Sequence, residues 1–170
     1  MLKVLDRAPS EIAYAEADPW IPLKLFWRVR RTGSALNLYV TGPGGGFVEM
    51  GVDSRSGVLY SLVIIELPPA VDRRLQIGPV VEPAVSPVLD RALWPWRVTP
   101  DYTEPERSDV DVEEKLSVSQ TREEIVLWLS ELGVHKYLAC GEVKVGISHE
   151  SDLVCIAAPT PPIIDPELMG

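Results

Sequence analysis

The chain has 170 residues, of which 46% are hydrophobic, and its formal net charge is −9. The hydrophobic fraction is too high for a disordered chain and suits a packed domain. The negative charge argues against nucleic-acid backbones and anionic membrane surfaces as partners, because both are bound through clustered Lys and Arg.

The first residues show no targeting signal, since residues 1–9 lack the apolar region of a signal peptide. The longest apolar stretch, residues 58–67, is interrupted by Ser61 and Glu66 and is far shorter than the roughly 20 residues of a membrane span. We therefore expect a cytoplasmic protein that does not bind membranes.

Residues 23–67 have the pattern of a β-sheet. Apolar and polar residues alternate in 23–31, 35–40 and 47–53, which is typical of half-buried strands. Residues 58–67 are nearly all apolar, so we expect a central strand that is covered on both faces. The pattern predicts a four-stranded antiparallel meander.

Proline dominates residues 68–105, where half of the chain's 16 prolines lie. Because proline cannot donate to a strand ladder or sit inside a helix, we expect an extended crossing segment with at most a short edge strand near 75–81. Residues 101–114 then carry seven acidic residues against one basic residue. They form either a solvated acidic linker or a strand with one acidic face.

The second half of the chain resembles the first. Residues 48–59 align without a gap with 143–154, and this alignment places Gly51 opposite Gly146. With another offset, Leu25 and Leu38 align with Leu116 and Leu129, and each half ends in a proline pair, Pro68-Pro69 and Pro161-Pro162. The glycines inside strand patterns are expected to mark bulges or close backbone approaches.

We therefore expect a mainly β fold in a single domain, residues 1–170. Two antiparallel β-meanders, the pseudo-repeat halves 23–67 and 116–162, would be joined by the proline-rich crossing segment 68–115. They would pack as a sandwich or form one bent sheet, with at most one or two short helices. The last residues, 159–170, are either an extended arm packed on a neighbouring surface or a loose end.

One segment has two interpretations. Thr121-Arg-Glu-Glu124 has the form of a capping box and Gly133 could end a helix, which favours a helix over about 122–132. Ile125, Leu127 and Leu129 alternate, however, and the second alignment places residues 125–130 opposite 35–40. We favour a strand.

No motif in the sequence predicts catalysis, a metal site or a cofactor. The glycines of residues 42–46 lack the Lys-Ser/Thr of a phosphate-binding loop and do not lead into a helix. The two histidines, His135 and His149, have no zinc-type spacing, and Cys140 and Cys155 lie in apolar surroundings. We expect surface histidines and buried thiols.

Two features suit recognition of another protein. Asp109, Asp111 and Glu113 would share one face of a strand, and with Glu114 they could attract a basic partner. Trp94 and Trp96 could anchor the complex, because tryptophan is enriched at interface centres. The two tryptophans could equally close one end of a β-sandwich core.

A small acidic β-protein without catalytic groups resembles the bacterial immunity proteins that neutralise polymorphic or contact-dependent toxins. The resemblance is one of size, charge and the strand–turn–strand of residues 48–67. It implies a non-catalytic protein, monomer or homodimer, whose acidic surface blocks a basic toxin domain. The alternative is a small-ligand or sugar-binding β-sandwich, with or without enzyme activity, with a pocket lined by Trp20, Trp27 and Tyr39.

Overall fold

The computed structural model describes residues 1–16, 18–77 and 79–161. Almost all regular structure in them is β, with one 3-10 helix at Arg91–Leu93. The strands, in chain order, are β1 (Val4–Pro9), β2 (Ala13–Glu16), β3 (Leu23–Trp27), β4 (Ala35–Thr41), β5 (Phe47–Asp53), β6 (Leu59–Glu66), β7 (Val80–Glu82), β8 (Val85–Leu89), β9 (Trp96–Val98), β10 (Thr103–Pro105), β11 (Asp109–Glu113), β12 (Ser117–Gln120), β13 (Glu124–Trp128), β14 (Lys136–Cys140), β15 (Val143–Ile147) and β16 (Leu153–Pro159).

Two six-stranded sheets make up most of the fold, and they have the same strand order. Sheet 1 runs β11-β4-β5-β6-β3-β2 and sheet 2 runs β7-β14-β15-β16-β13-β12. In each sheet all neighbours are antiparallel except the outermost pair, β11 with β4 and β7 with β14, which are parallel. The mainly β fold class is confirmed, and the sheets are mixed rather than purely antiparallel.

The two sheets pack face to face over one core. Alternate residues of each strand point inward, such as Leu36, Leu38 and Val40 in β4, and all three are 0% exposed. Their cluster continues into sheet 2 through Leu127 and Ile156, so buried side chains of both sheets form one contiguous core. This arrangement is a β-sandwich.

Strands β1 and β8 pair with each other and attach the ends of the two sheets. Val4 pairs with Leu89, the Val4 N–H donates to the Ser151 carbonyl of sheet 2, and the Leu89 N–H donates to the Gly57 carbonyl of sheet 1. Gly57 and Ser151 both have positive φ, +79° and +68°. A turn of each sheet therefore presents a carbonyl to the β1–β8 pair.

Gly51 and Gly146 occupy the same position in the two sheets. In each, the strand register shifts at the glycine, between Gly51 and Val52 and between Gly146 and Ile147. A Cβ atom on Gly51 would clash with the Ser61 side chain, and one on Gly146 would clash with the Cys155 thiol. Both glycines lie at bulges where a neighbouring side chain crosses the backbone, as the sequence pattern indicates.

The helix alternative for 122–132 is wrong, because Glu124–Trp128 is strand β13. The Thr121 hydroxyl accepts hydrogen bonds from the N–H groups of Glu123 and Glu124, as a capping residue would, but the bonds close a turn between β12 and β13. Residues 125–128 are apolar on both faces of the strand because β13 is covered on both sides. All four of these residues are buried.

Three details of the sequence interpretation need correction. Strand β3 pairs with β6 and not with β4, so residues 23–67 do not form a simple four-stranded meander. The alignment of Leu25 with Leu116 does not match the sheets, because Leu25 lies opposite Leu62 of β6 as Leu127 lies opposite Ile156 of β16. The crossing segment contributes β7 through β11 rather than one short edge strand. Residues 162–170 of the expected arm lie outside the described residues.

Asp53 holds the turn between β5 and β6. Its side chain is 0% exposed and accepts hydrogen bonds from the N–H groups of Gly33, Thr32 and Ser56, at 2.8, 3.2 and 2.9 Å. Burial by itself raises the pKa of this carboxyl group, but the hydrogen bonds outweigh burial and lower the pKa to about 2. The ionised carboxylate therefore ties the β5–β6 turn to the β3–β4 loop.

The low pKa of Asp53 predicts acid destabilisation. Its contribution is fully present above the unfolded pKa of about 3.9, and is lost as the pH falls through that value towards 2. Between pH 6 and pH 2 the native protein should lose about 2 kcal/mol more unfolding free energy than Asp53→Asn, measured by urea denaturation. Asp101→Asn, at an exposed position, is the control and should follow the native protein. Parallel pH profiles for the native protein and Asp53→Asn would contradict the assignment.

Candidate functional site

The acidic residues of β11 form a row along the edge of sheet 1. Strand β11 is outermost and pairs only with β4, with Asp109 beside Asn37 and Asp111 beside Tyr39. Asp109, Asp111 and Glu113 are exposed, whereas Val110 between them is buried in the core. The expected acidic strand face is therefore the outer face of sheet 1 at its β11 edge.

Neighbouring strands extend this acidic face. Glu49 of β5 lies beside Tyr39 of β4, on the same outer face as the β11 carboxylates. Tyr39 and Phe47 stack with ring centroids 5.9 Å apart. We call the set Asp109, Asp111, Glu113, Tyr39, Phe47 and Glu49 the acidic face. The sequence interpretation assigned Tyr39 to a ligand pocket and missed Phe47 and Glu49, because only strand register shows that the three lie near β11.

No cation neutralises the acidic face within the described residues. None of its four carboxylates forms a salt bridge there; the one recorded polar contact across strands is the Asn37 Nδ2–H donating to Asp109 Oδ1 at 2.9 Å. Burial raises the pKa of the Tyr39 phenol, and the charges of Asp109, Glu49 and Asp111 raise it further. Three of the carboxylates alternate along β11, and the fourth, Glu49, lies two strands away beyond Tyr39, so the face presents four negative charges together.

Glu114 does not belong to the acidic face. It follows β11 with its side chain 12% exposed, and its Oε1 forms an ion pair with the amino group of Met1 at 3.4 Å. The alternation that points Glu113 to solvent turns Glu114 the other way. It therefore serves the fold and is not available to a partner.

Trp94 is a core residue and not a surface anchor. It is 2% exposed, and its indole N–H donates to the Ser108 carbonyl at 3.0 Å, with the Asn37 carbonyl at 3.3 Å. A buried indole ring with its N–H satisfied stabilises the fold. Trp94 joins the start of β11 to β4 and lies beneath the acidic face. Its position in the core matches the alternative given above, in which the tryptophans close one end of the β-sandwich core.

Trp96 is partly buried beside an open cavity of about 740 Å³. Its indole N–H donates to the Arg91 carbonyl at 2.8 Å, and the Arg91 guanidinium lies 5.7 Å from the ring centroid. The cavity is lined by Trp96, two arginines, two acids and several small polar residues, including Arg55, Arg91, Asp90, Glu104, Thr32 and Ser34. The structure separates the two tryptophans, with one in the core and one at this cavity.

The groups considered for catalysis do not assemble in the described residues. His135 and His149 are exposed and lie edge to face, 4.5 Å between ring centroids, and no hydrogen bond recorded there joins either to Cys155. Burial raises the pKa of the Cys155 thiol to about 12, so this thiol stays protonated at neutral pH. Within 1–16, 18–77 and 79–161, no three His, Cys, Asp or Glu residues gather as a metal site.

The pocket of the alternative function does not form as expected. Trp27 is 4% exposed in the core, Trp20 is 77% exposed on a loop, and Tyr39 lies on the acidic face. None of the three lines the cavity beside Trp96. The three residues therefore do not line one shared pocket.

No protein-family model matches this chain, and no curated protein matches it. In the part of the chain that the structure describes, no helix has the length and apolarity needed to cross a membrane. The candidate site must therefore be judged on its geometry and charge.

The environment of Tyr39 gives a test of the acidic face. Replacing Asp109 and Asp111 by asparagine removes two of the charges that raise the pKa of Tyr39, so this pKa should fall towards its ordinary value of about 10. NMR titration of the Tyr39 ring measures the change, and Asp101→Asn serves as control because its residue is not among the causes of the shift. An unchanged Tyr39 pKa would show that the β11 carboxylates do not act on this ring.

Proposed function

We propose that the protein binds a basic protein partner through the acidic face and has no catalytic role. The observation that supports this proposal most is the group of four carboxylates, on β11 and β5, that lie on one sheet face without a neutralising cation in the described residues. Lysines or arginines of a partner would meet complementary charge on this face.

The geometry also gives the partner a firm surface. A strand in a sheet holds its side chains at fixed spacing, and β11 is fastened to β4 by five paired residues. The stacked rings of Tyr39 and Phe47 lie beside the carboxylates and offer apolar area at the centre of the contact. Charge would speed the encounter, and the rings would slow dissociation.

Among protein-binding functions we propose neutralisation of a toxin, as in the bacterial immunity proteins that this chain resembles in size and charge. An acidic face placed over a basic active site would block substrate access without chemistry of its own. A cytoplasmic location, where such a toxin acts, belongs to the same proposal. The probe is the product of the gene immediately upstream, which should be toxic alone and harmless when co-expressed with this chain.

Charge reversal tests the acidic face directly. The triple variant Asp109→Lys, Asp111→Lys and Glu113→Lys should slow association with that upstream protein by about tenfold or more at low salt, because electrostatic steering is lost. Its association rate should also become less dependent on salt. Stopped-flow kinetics at several NaCl concentrations measure both effects.

A matched control variant distinguishes the effect of the acidic face from the effect of the net charge. Glu11, Glu123 and Glu142 are exposed, lie outside the acidic face and form no recorded salt bridge within the described residues. Reversing these three to lysine changes the net charge equally and should slow association much less. Equal effects of the two triple variants would contradict a specific face, and an upstream product that neither harms cells nor binds would contradict the immunity proposal.

The cavity beside Trp96 supports a second candidate, binding of a small polar molecule. Its volume, about 740 Å³, lies within the range of ligand pockets, and it combines an aromatic ring with charged and hydroxyl groups. Arg55 is exposed at the cavity wall, where it could contact a bound sugar or nucleotide.

Thermal unfolding discriminates this second candidate from the first. A ligand at about 100 times its Kd adds about 2.7 kcal/mol, which raises the Tm of a domain this size by roughly 5 °C or more. A screen of sugars, nucleotides and metal ions should show such a rise if the cavity is a ligand site. Arg55→Ala should remove it, whereas Arg107→Ala, at an exposed residue outside the cavity, should not. A flat screen would leave protein binding as the better account.

A further inference from the structure

A groove with two arginines and three aromatic rings lies on sheet 1, on the β2 side, whereas the acidic face lies on the β11 side. Its volume is about 340 Å³, and its lining includes the following side chains, which we call the arginine groove: Tyr14, Phe26, Arg28, Arg31 and Tyr60. The three rings belong to β2, β3 and β6, and both arginines lie in the loop between β3 and β4.

One wall of the arginine groove is a pair of stacked rings. Leu25 and Trp27 are buried between the sheets, so Phe26, which lies between them in β3, points to the outer face. Tyr14 lies directly opposite Phe26 in the β2–β3 pairing, and the two ring centroids are 5.6 Å apart. Because Tyr14 is 48% exposed, its ring offers a flat surface on which a further ring can stack.

The other wall is an arginine stacked on a tyrosine. The guanidinium carbon of Arg31 lies 4.2 Å from the centroid of the Tyr60 ring. This ring lies against the backbone of Gly51, where an added Cβ atom would come within 2.8 Å of two ring carbons. Glycine therefore leaves room for the Tyr60 ring to lie on the sheet, and the ring holds Arg31 through a cation–π contact.

The two arginines of the groove have no anionic partner in the described part of the chain. Within residues 1–16, 18–77 and 79–161, neither Arg28 nor Arg31 forms a salt bridge, and no side-chain hydrogen bond of either is recorded. Both side chains are exposed. They form a local positive site on a chain whose net charge is −9.

Sheet 2 shows what a ring-stacked arginine does when oxygen acceptors are near. The Arg73 guanidinium lies 3.8 Å from the Trp128 ring centroid, and it donates to the carbonyls of Ser130 and Leu132 at 2.6 and 2.7 Å. Stacking fixes the plane of a guanidinium and leaves its N–H edge free for acceptors. Arg31 is also stacked but has no recorded acceptor in the described residues, so an oxyanion of a ligand would complete its hydrogen bonds.

An aromatic ring that carries a phosphate matches these groups. A phosphate monoester has about two negative charges at pH 7, which two guanidinium groups neutralise, whereas a carboxylate has one. A planar base would stack on the exposed Tyr14 ring. The groove volume lies near the lower end of the range for ligand pockets, which suits a mononucleotide. A long polyanion is disfavoured, because the net charge of −9 would repel it outside the groove.

We propose that the arginine groove binds a nucleoside monophosphate, with the phosphate held by Arg28 and Arg31 and the base stacked on Tyr14. None of the groove residues lines the cavity beside Trp96, and none belongs to the acidic face. The proposal therefore does not rest on either function proposed above. It gives sheet 1 a small-molecule site in addition to the surface proposed for a protein partner.

Isothermal titration calorimetry with four probes tests which chemical groups the groove binds. Adenosine monophosphate (AMP) should bind at a single site. Adenosine and inorganic phosphate should each bind about tenfold or more weakly, because each lacks one of the two sets of contacts. Benzoate, an aromatic carboxylate, should also bind more weakly than AMP. The absence of AMP binding at millimolar concentration would overturn the proposal, and so would inorganic phosphate or benzoate binding as tightly as AMP.

Substitution of single arginines tests where the nucleotide binds. Arg28→Gln and Arg31→Gln should each weaken AMP binding by about tenfold or more, because charged hydrogen bonds to the phosphate are lost. Arg30→Gln is the matched control, since Arg30 is exposed in the same loop but does not line the groove. It changes the net charge equally and should leave the affinity nearly unchanged. Equal losses for Arg30→Gln and Arg31→Gln would contradict a specific site.

Two further measurements separate this site from the rest of the protein. Saturating AMP should shift the NMR signals of the Tyr14 and Tyr60 rings in the native protein, and unshifted rings would overturn the proposal. Arg55→Ala, at the cavity beside Trp96, should retain AMP binding. If Arg55→Ala abolishes binding and Arg31→Gln does not, the nucleotide binds in that cavity and the proposal for the arginine groove fails.

Discussion

Each sheet of this protein is apolar on the face that meets the other sheet. The rest of the fold, including the exposed outer faces, depends on the contact between these two apolar faces. Residues such as Leu38 and Ile156 are fully buried between the sheets, and neither sheet could expose that area to water alone. The β1–β8 pair secures the contact, since each strand of the pair bonds to a turn of one sheet. Both of the residues that supply those carbonyls, Gly57 and Ser151, have positive φ.

The two outer faces have different uses, although the strand order is the same. Residues 70–77 cross the outer face of sheet 2, where Arg73 lies over the Trp128 ring and Leu75 packs against a second cluster of buried side chains. The outer face of sheet 1 keeps an acidic edge, because the strand added there, β11, carries carboxylates at every second position. The repeated architecture thus leaves the two outer faces with different surfaces, one crossed by a chain segment and one with an exposed acidic edge.

Much of the fold was predictable from local pattern. Alternation located β3, β4 and β5, and it placed Asp109, Asp111 and Glu113 on one exposed face, because side-chain direction in a strand has a period of two. The capping-box form at Thr121 was misleading, since the same hydrogen bonds also close a tight turn. The proline-rich segment was read as unpaired, yet prolines are tolerated in the short strands β8 and β10, away from the two large sheets.

By itself the sequence determined the β class and the two bulge glycines, because each follows from spacing along a single strand, whereas it left the acidic residues 101–114 open between a solvated linker and a strand face. Only the tertiary structure decided which strands are neighbours, and therefore that Tyr39 and Glu49 join the acidic face. It also decided that Trp94 is core while Trp96 borders a cavity, although both stand in one short motif. The physical reason is that the burial and the contacts of a side chain depend on which residues of a distant strand lie opposite it. Strand order, in turn, depends on how the two sheets pack against each other.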